Sequence, residues 1–129
     1  MTGVQTCALP IYTPYSVEAL NAALTRGALI ICPVVAAETS LYFASAAEAE
    51  DVFRRMQIRL APFGWQDLHL AGRIFLEYRK LAAKPRHRVV ADFLVAAHAF
   101  HHATELITRD REFYRHYFPK LNLTQVGPE

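Results

Sequence analysis

Three acidic residues sit in apolar surroundings where a carboxylate is costly. They are Glu38 in VVAAETSLYF, Asp92 in VVADFLVAAHA and Asp110 in LITRDREF. A buried carboxylate needs a proton, a partner or a metal. Several carboxylates converging without paired Lys or Arg would favour a hard dication, Mg²⁺ or Mn²⁺, which takes oxygen ligands. Such an ion binds phosphate oxygens, neutralises developing charge and lowers the pKa of a bound water so that it can attack phosphorus. Simpler roles compete. Asp110 would also serve as a helix N-cap, and Asp92 would favour a helix N-terminus electrostatically. The other acids, Asp67 among them, lie among charges or on polar helix faces and read as solvated.

Periodicity and capping signals define the scaffold for these residues. Helices are predicted over Tyr15–Arg26 with Ser16 as N-cap, Val34–Ser45, Ala46–Gln57, Trp65–Ala82, Val89–Ala103 and Asp110–Phe118. Strands are predicted at Ala28–Cys32, at Arg59–Phe63 with a proline suited to an edge, at Glu105–Thr108 and at Leu121–Val126. Strands alternate with helices and no hairpin turn signal occurs, so the fold class is α/β, a parallel sheet with helices on both faces. Glu38, in the second turn of the helix after a strand, and Asp110, just after another strand, both belong to the carboxyl edge of that sheet. Ligands bind at that edge in open α/β sheets. Asp92, on the first turn of its helix, is able to join them.

The chain has 129 residues, 53% hydrophobic and 20% charged, with a formal charge of +2. That describes one ordinary globular domain. The weak positive charge permits a nucleic-acid partner without arguing for one. No apolar run approaches the roughly 18–20 residues of a membrane span. Nothing resembles a signal peptide, and the two cysteines, Cys7 and Cys32, form no pattern, so cytoplasm is the default location.

Residues Met1–Ile11, MTGVQTCALPI, carry no charge and no periodicity related to the rest of the chain. The stretch Thr2–Ile11 resembles the conceptual translation of a common sequencing adaptor. Residues 1–11 are therefore expected to be non-native, with the genuine domain occupying residues 12–129 and its own beginning lost. Cys32 is then the one native cysteine. The four strands predicted after Tyr12 are few for such a sheet, which fits a lost element at the front.

The segments PVVAAETSLYF, VVADFLVAAHA and LITRDREFYRHYFPKL, together with the long helix LAGRIFLEYRK, resemble the PIN-domain family, specifically VapC-like toxins of bacterial toxin–antitoxin pairs. The likeness runs from Tyr12 to Val126. It implies a three-layer α/β/α fold and an Mg²⁺- or Mn²⁺-dependent endoribonuclease. In it Glu38, Asp92 and Asp110 are the second, third and fourth acidic positions, and Thr108 is the supporting polar residue. It also implies an RNA substrate, a cognate antitoxin protein and a homodimer. One departure stands out. The family opens with a strand bearing Asp-Thr/Ser-Asn, whose Asp is the first metal ligand and which lies at the centre of the sheet. Here MTGVQTCALPI holds that place and contains no Asp, Glu or Asn. The central first strand is thus expected to be missing and the metal site incomplete, so a non-catalytic RNA- or protein-binding module is the alternative function.

Other features have two readings each. His98, His101 and His102 fall at i, i+3 and i+4, a spacing open to zinc. No matching cysteine or fourth histidine accompanies them, which favours one core and two surface histidines. Lys84, Arg86 and Arg88 form a basic loop before Asp92, either plainly solvated or an RNA-backbone guide. Trp65, Phe75 and Tyr78 read as core or dimer interface rather than base-stacking residues. The apolar helices between Val34 and Met56 would suit an antitoxin helix in a groove or simply pack. A nucleotide-binding or phosphotransfer domain is disfavoured, because the five glycines form no phosphate loop.

Overall fold

The computed structural model describes residues 3–6, 14–81, 90–108 and 111–125. In chain order the elements are β1 (Gly3–Thr6), α1 (Pro14–Leu24), β2 (Ala28–Ile31), α2 (Pro33–Ser40), α3 (Ala46–Arg55), β3 (Ile58–Leu60), α4 (Trp65–Leu81), α5 (Val90–His102), β4 (Ala103–Thr108), α6 (Arg111–Tyr117) and β5 (Leu123–Gln125). The strands form one five-stranded sheet in the order β3-β2-β1-β4-β5. Every pairing is parallel. Helical crossovers cover the sheet in a three-layer α/β/α arrangement. No described helix is long and apolar enough to cross a membrane.

The expected gap at the centre of the sheet is corrected. Gly3–Thr6 fills it, pairing with β2 from Gly3↔Ala28 to Gln5↔Ile30 and with β4 from Gly3↔Ala103 to Thr6↔Ile107. The physical reason lies in the backbone. Without a strand between them, β2 and β4 would each bury an unpaired row of N–H and C=O groups. Ladder bonding is indifferent to side-chain identity, and GVQT carries neither proline nor charge to oppose it.

Other differences are local. The second helix stops at Ser40, five residues before the expected end at Ser45. Thr39 and Ser40 turn their hydroxyls onto the carbonyls of Val35 and Ala36, at 2.8 and 2.6 Å. Such back-bonding weakens a helix interior. Ser45 then restarts the chain as the N-cap of α3. Its hydroxyl accepts the Glu48 N–H at 3.1 Å, and the Glu48 carboxylate accepts the Ala44 N–H at 2.8 Å. Ser-x-x-Glu is a capping signal. Ser16 is inside α1, which begins at Pro14, and is not its cap. Pro62 lies beyond β3 rather than within it.

The core centres on Phe93, fully buried in α5. Its ring meets Phe75 and Tyr78 of α4 at 5.3 and 5.4 Å, and Phe113 and Tyr117 of α6 at 5.3 and 5.7 Å. Leu29, Ile30 and Ile31 of β2 and Leu106 and Ile107 of β4 complete it. Buried on both faces, these strands read as continuous apolar runs. Phe75 and Tyr78 thus belong to the core, whereas Trp65 is 84% exposed.

Candidate metal centre

Topology brings three of the candidate residues, Glu38, Asp92 and Thr108, to one edge. β2 leads through Cys32 into α2, whose first residue is Pro33, and Glu38 follows in the second turn. Pro suits that position because its missing N–H would have no helical partner there. α5 passes into β4 with no intervening loop, from His102 to Ala103. It packs on β1, β4 and α2, so it descends to the amino edge of the sheet and must begin at the carboxyl edge. Asp92, in its first turn, therefore lies at the same edge as the end of β2. Thr108 closes β4 at that edge and is 1% exposed. Asp110 and the basic residues Lys84, Arg86 and Arg88 lie outside the described residues.

The side-chain environments differ from expectation in one respect. Glu38 is exposed and Asp92 only half-buried. Neither is an acid sunk in the core; their helices carry the apolar packing on other faces, through Val35 and Phe93. Cys32, by contrast, is fully buried. Burial pushes its thiol up, the nearby Glu38 charge adds to this, and the N–H groups of Val35 and Val34 act the other way. Cys32 is thus a protonated, apolar helix-entry residue rather than a nucleophile.

Among the described residues, Glu38, Asp92 and Thr108 offer oxygen donors at the carboxyl edge, the kind a hard dication takes. Its number falls short. Among the described residues, no three Asp, Glu, His or Cys side chains are arranged to hold a metal ion. The central strand contributes GVQT, which has no carboxylate.

A second cluster lies at the far end of α5, and the sequence reading of Asp67 as solvated is corrected there. Asp67 is 0% exposed. Its carboxylate accepts the Gly64 N–H at 2.8 Å, closing the first turn of α4. It also accepts from His101 Nδ1 at 2.6 Å and His102 Nε2 at 2.7 Å. Burial raises its pKa, but these N–H donors outweigh burial and hold the carboxyl below its usual range. His98 is fully buried, donates from Nε2 to the Ala61 carbonyl at 2.9 Å, and lies edge-on to Phe63. Only the Gly64 contact had a local signal, an acid three residues on that can reach back to that N–H; the imidazoles that bury Asp67 come from 34 and 35 residues away.

Comparison with known proteins agrees with this architecture. The PIN domain family profile matches residues 13–119. No curated protein matches. Among solved structures the chain is similar to VapBC2 from Rickettsia felis bound to a DNA fragment from its promoter. The identity is 17%, covering 97% of this chain and 99% of that one, with a TM-score of 0.69. It is similar also to VapBC-1 from nontypeable Haemophilus influenzae, at 13% identity, 97% and 98% coverage and a TM-score of 0.70. A third is FitAcB from Neisseria gonorrhoeae, at 16% identity, 95% and 96% coverage and a TM-score of 0.60. At these identities the likeness establishes the fold.

Proposed function

Because the chain belongs to the PIN domain family, we propose that it is the nuclease of a toxin–antitoxin pair, hydrolysing RNA phosphodiester bonds with Mg²⁺ or Mn²⁺. The observation that carries this reading is the family match over residues 13–119 together with the acidic carboxyl edge it spans. In this proposal Glu38, Asp92 and Asp110 hold the metal, and Thr108 supports the last of them from the end of β4. The metal would polarise phosphate oxygens and activate water. The chain's own part is to fix the carboxylates on helix starts anchored by Val35 and Phe93, and to lead the RNA backbone in along Lys84, Arg86 and Arg88.

A second reading has its own observation. The central strand offers no carboxylate, so the chain as it stands would bind RNA or a partner without cutting. One experiment separates the two. Purified protein is incubated with labelled RNA in Mg²⁺, Mn²⁺ and EDTA, beside Asp110→Asn and a version whose Gly3–Thr6 strand is replaced by one ending in Asp. Metal-dependent cleavage that disappears in Asp110→Asn supports the nuclease. Cleavage only after the strand replacement supports an incomplete site in a nuclease fold. RNA retention without cleavage in every version supports the binding module.

We further propose that residues 1–11 are foreign to the gene. A clean long-read sequence of the source DNA across the codon for Tyr12 tests this, and reproduction of MTGVQTCALPI would refute it.

The antitoxin partner has a candidate seat. A groove of about 570 Å³ opens between α2, α3 and β3, floored by Ala36, Ala49, Phe53 and Ile58 and rimmed by Glu50 and Arg54. Its apolar floor and charged rim suit an amphipathic helix. We propose that a homodimer would form through the exposed side of α4, where Trp65, Leu68 and Leu76 stand outward.

A further inference from the structure

The cluster at the far end of α5 has a property that its hydrogen bonds fix. The Ala61 carbonyl can only accept, so His98 Nε2 must be the donating nitrogen. The neutral tautomer then leaves a lone pair on Nδ1. That atom is buried and has no partner among the described residues. Protonating His98 would place a new N–H, and a charge, where nothing among the described residues accepts it. Asp67 works in the opposite sense. Both its oxygens accept, from His101 Nδ1, His102 Nε2 and Gly64 N–H, so the cluster needs it ionised. His102 stands 4.7 Å from His98, ring centre to ring centre, so a charge on either opposes a charge on the other.

We infer that Asp67, His98, His101 and His102 form an acid-released latch that fastens the start of α4 and the β3–α4 turn to the end of α5. The latch closes with His98 neutral and Asp67 ionised, and protonating His98 is the first step that opens it. The groups facing His98 are Asp67 from α4, His102 from α5 and the carbonyls of Ala61 and Pro62 from the turn. Other titratable groups on neighbouring elements stand apart: Glu38, Arg59 and His69 are exposed, and Glu105 is paired with Arg26 at 2.6 Å. Burial, the largest influence on His98, holds its pKa below the ordinary histidine range, which agrees with the geometry. The assignment does not depend on the nuclease proposal, because every residue in it lies at the end of α5 away from Asp92.

Amide hydrogen exchange on the full chain tests the latch at pH 7.5 and 5.5, with each rate corrected for intrinsic exchange. The amides of Asp67, Leu68 and Phe100–Thr104 should lose up to about tenfold of their protection on acidification, the ceiling for a histidine that titrates at the ordinary value of about 6.5 once released and stays neutral while latched; those of Leu29–Ile31, which open only with the whole fold, should lose no more. No loss in the first set would overturn the inference. In His98→Phe, which keeps a ring of similar size, the protection of the first set should no longer fall over this range; an undiminished fall would overturn His98 as the trigger. Should that variant fail to fold, ¹⁵N NMR of the unaltered protein decides. His98 should hold its Nε2–H tautomer down to a pH below the ordinary histidine range, and titration at the ordinary value would refute the latch.

Discussion

An acid lies at each end of α5, Asp92 on the helix itself and Asp67 across from it on α4, and their surroundings differ. At its start Asp92 is half-buried beside the carboxyl edge of the sheet, in company with exposed Glu38 and the end of β4. At its end Asp67, reaching over from α4, is fully buried and takes three N–H donors. A carboxylate surrounded by donors that the fold itself supplies has its lone pairs committed, and it holds helices together. The acids at the strand edge reach solvent, which the metal-centre proposal requires of them. Burial alone therefore does not mark an acid as a ligand for an ion.

The largest test of this contrast is Asp92→Asn. In a protein with a competent metal site it should lower RNA cleavage by roughly 10²-fold or more, the scale seen when one electrostatic group is lost from a reacting centre. Its melting temperature should fall far less than that of Asp67→Ala. Cleavage kinetics and thermal unfolding measured on the same preparation check both halves. A large loss of stability with unchanged cleavage would reverse the roles assigned to the two ends.

Asp67→Ala is the counterpart. Removing a buried, hydrogen-bonded carboxylate strands the N–H groups of His101, His102 and Gly64, and should cost on the order of 3 kcal/mol. Denaturant unfolding reads this directly. Per folded molecule, cleavage should change far less than in Asp92→Asn.

Helices α4 and α5 were legible in the sequence because both are long and apolar over sustained stretches. Trp65–Leu81 and Val90–His102 fall within a residue of their predicted ends. The hidden parts are those that depend on partners distant in sequence. Asp67 reads as a solvated first-turn acid until α5, 34 residues on, supplies two imidazoles. The break after Ser40 needed the competition between hydroxyl back-bonding and the Ser45 cap, both local but opposed to a pattern that otherwise continues. The central strand was unreadable because GVQT has no alternation, and only the open edges of β2 and β4 make it a strand. At the carboxyl edge, Glu38 and Asp92 were found by their apolar neighbours in sequence, yet those neighbours face elsewhere and leave the acids accessible.

Acidification sharpens the contrast further. His98 is depressed by burial, so its neutral form favours folding. That stability is complete above the ordinary histidine value of about 6.5 and declines as the pH falls below it toward the depressed folded value. Asp67 is also depressed, so its contribution persists above the ordinary aspartate value of about 3.9 and is lost below it. Thermal unfolding should therefore weaken in two stages, first on going from pH 7 to 5 and again below pH 4. His98→Phe should remove the first stage and Asp67→Asn should reduce the second. A single stage, at the lower pH only, would mean that His98 is not held neutral.

The smallest expected effect concerns the approach to each end. The basic residues Lys84, Arg86 and Arg88 precede Asp92 in sequence, between α4 and α5. If they guide an RNA backbone, each phosphate contact they make contributes a counterion-release increment to the salt dependence of binding, a slope of about 0.7 per contact for a single strand. Reversing Lys84 and Arg86 to Glu should weaken RNA binding several-fold at low salt and flatten the slope by about one to two contacts' worth. Reversing Arg54 and Arg55, exposed basic residues on α3 engaged with Asp51, should leave the slope unchanged. Filter binding across a salt series distinguishes the two. Equal flattening in both variants would show that the protein attracts RNA through its overall charge, and would leave the start of α5 with carboxylates but no directed path for a substrate to reach them.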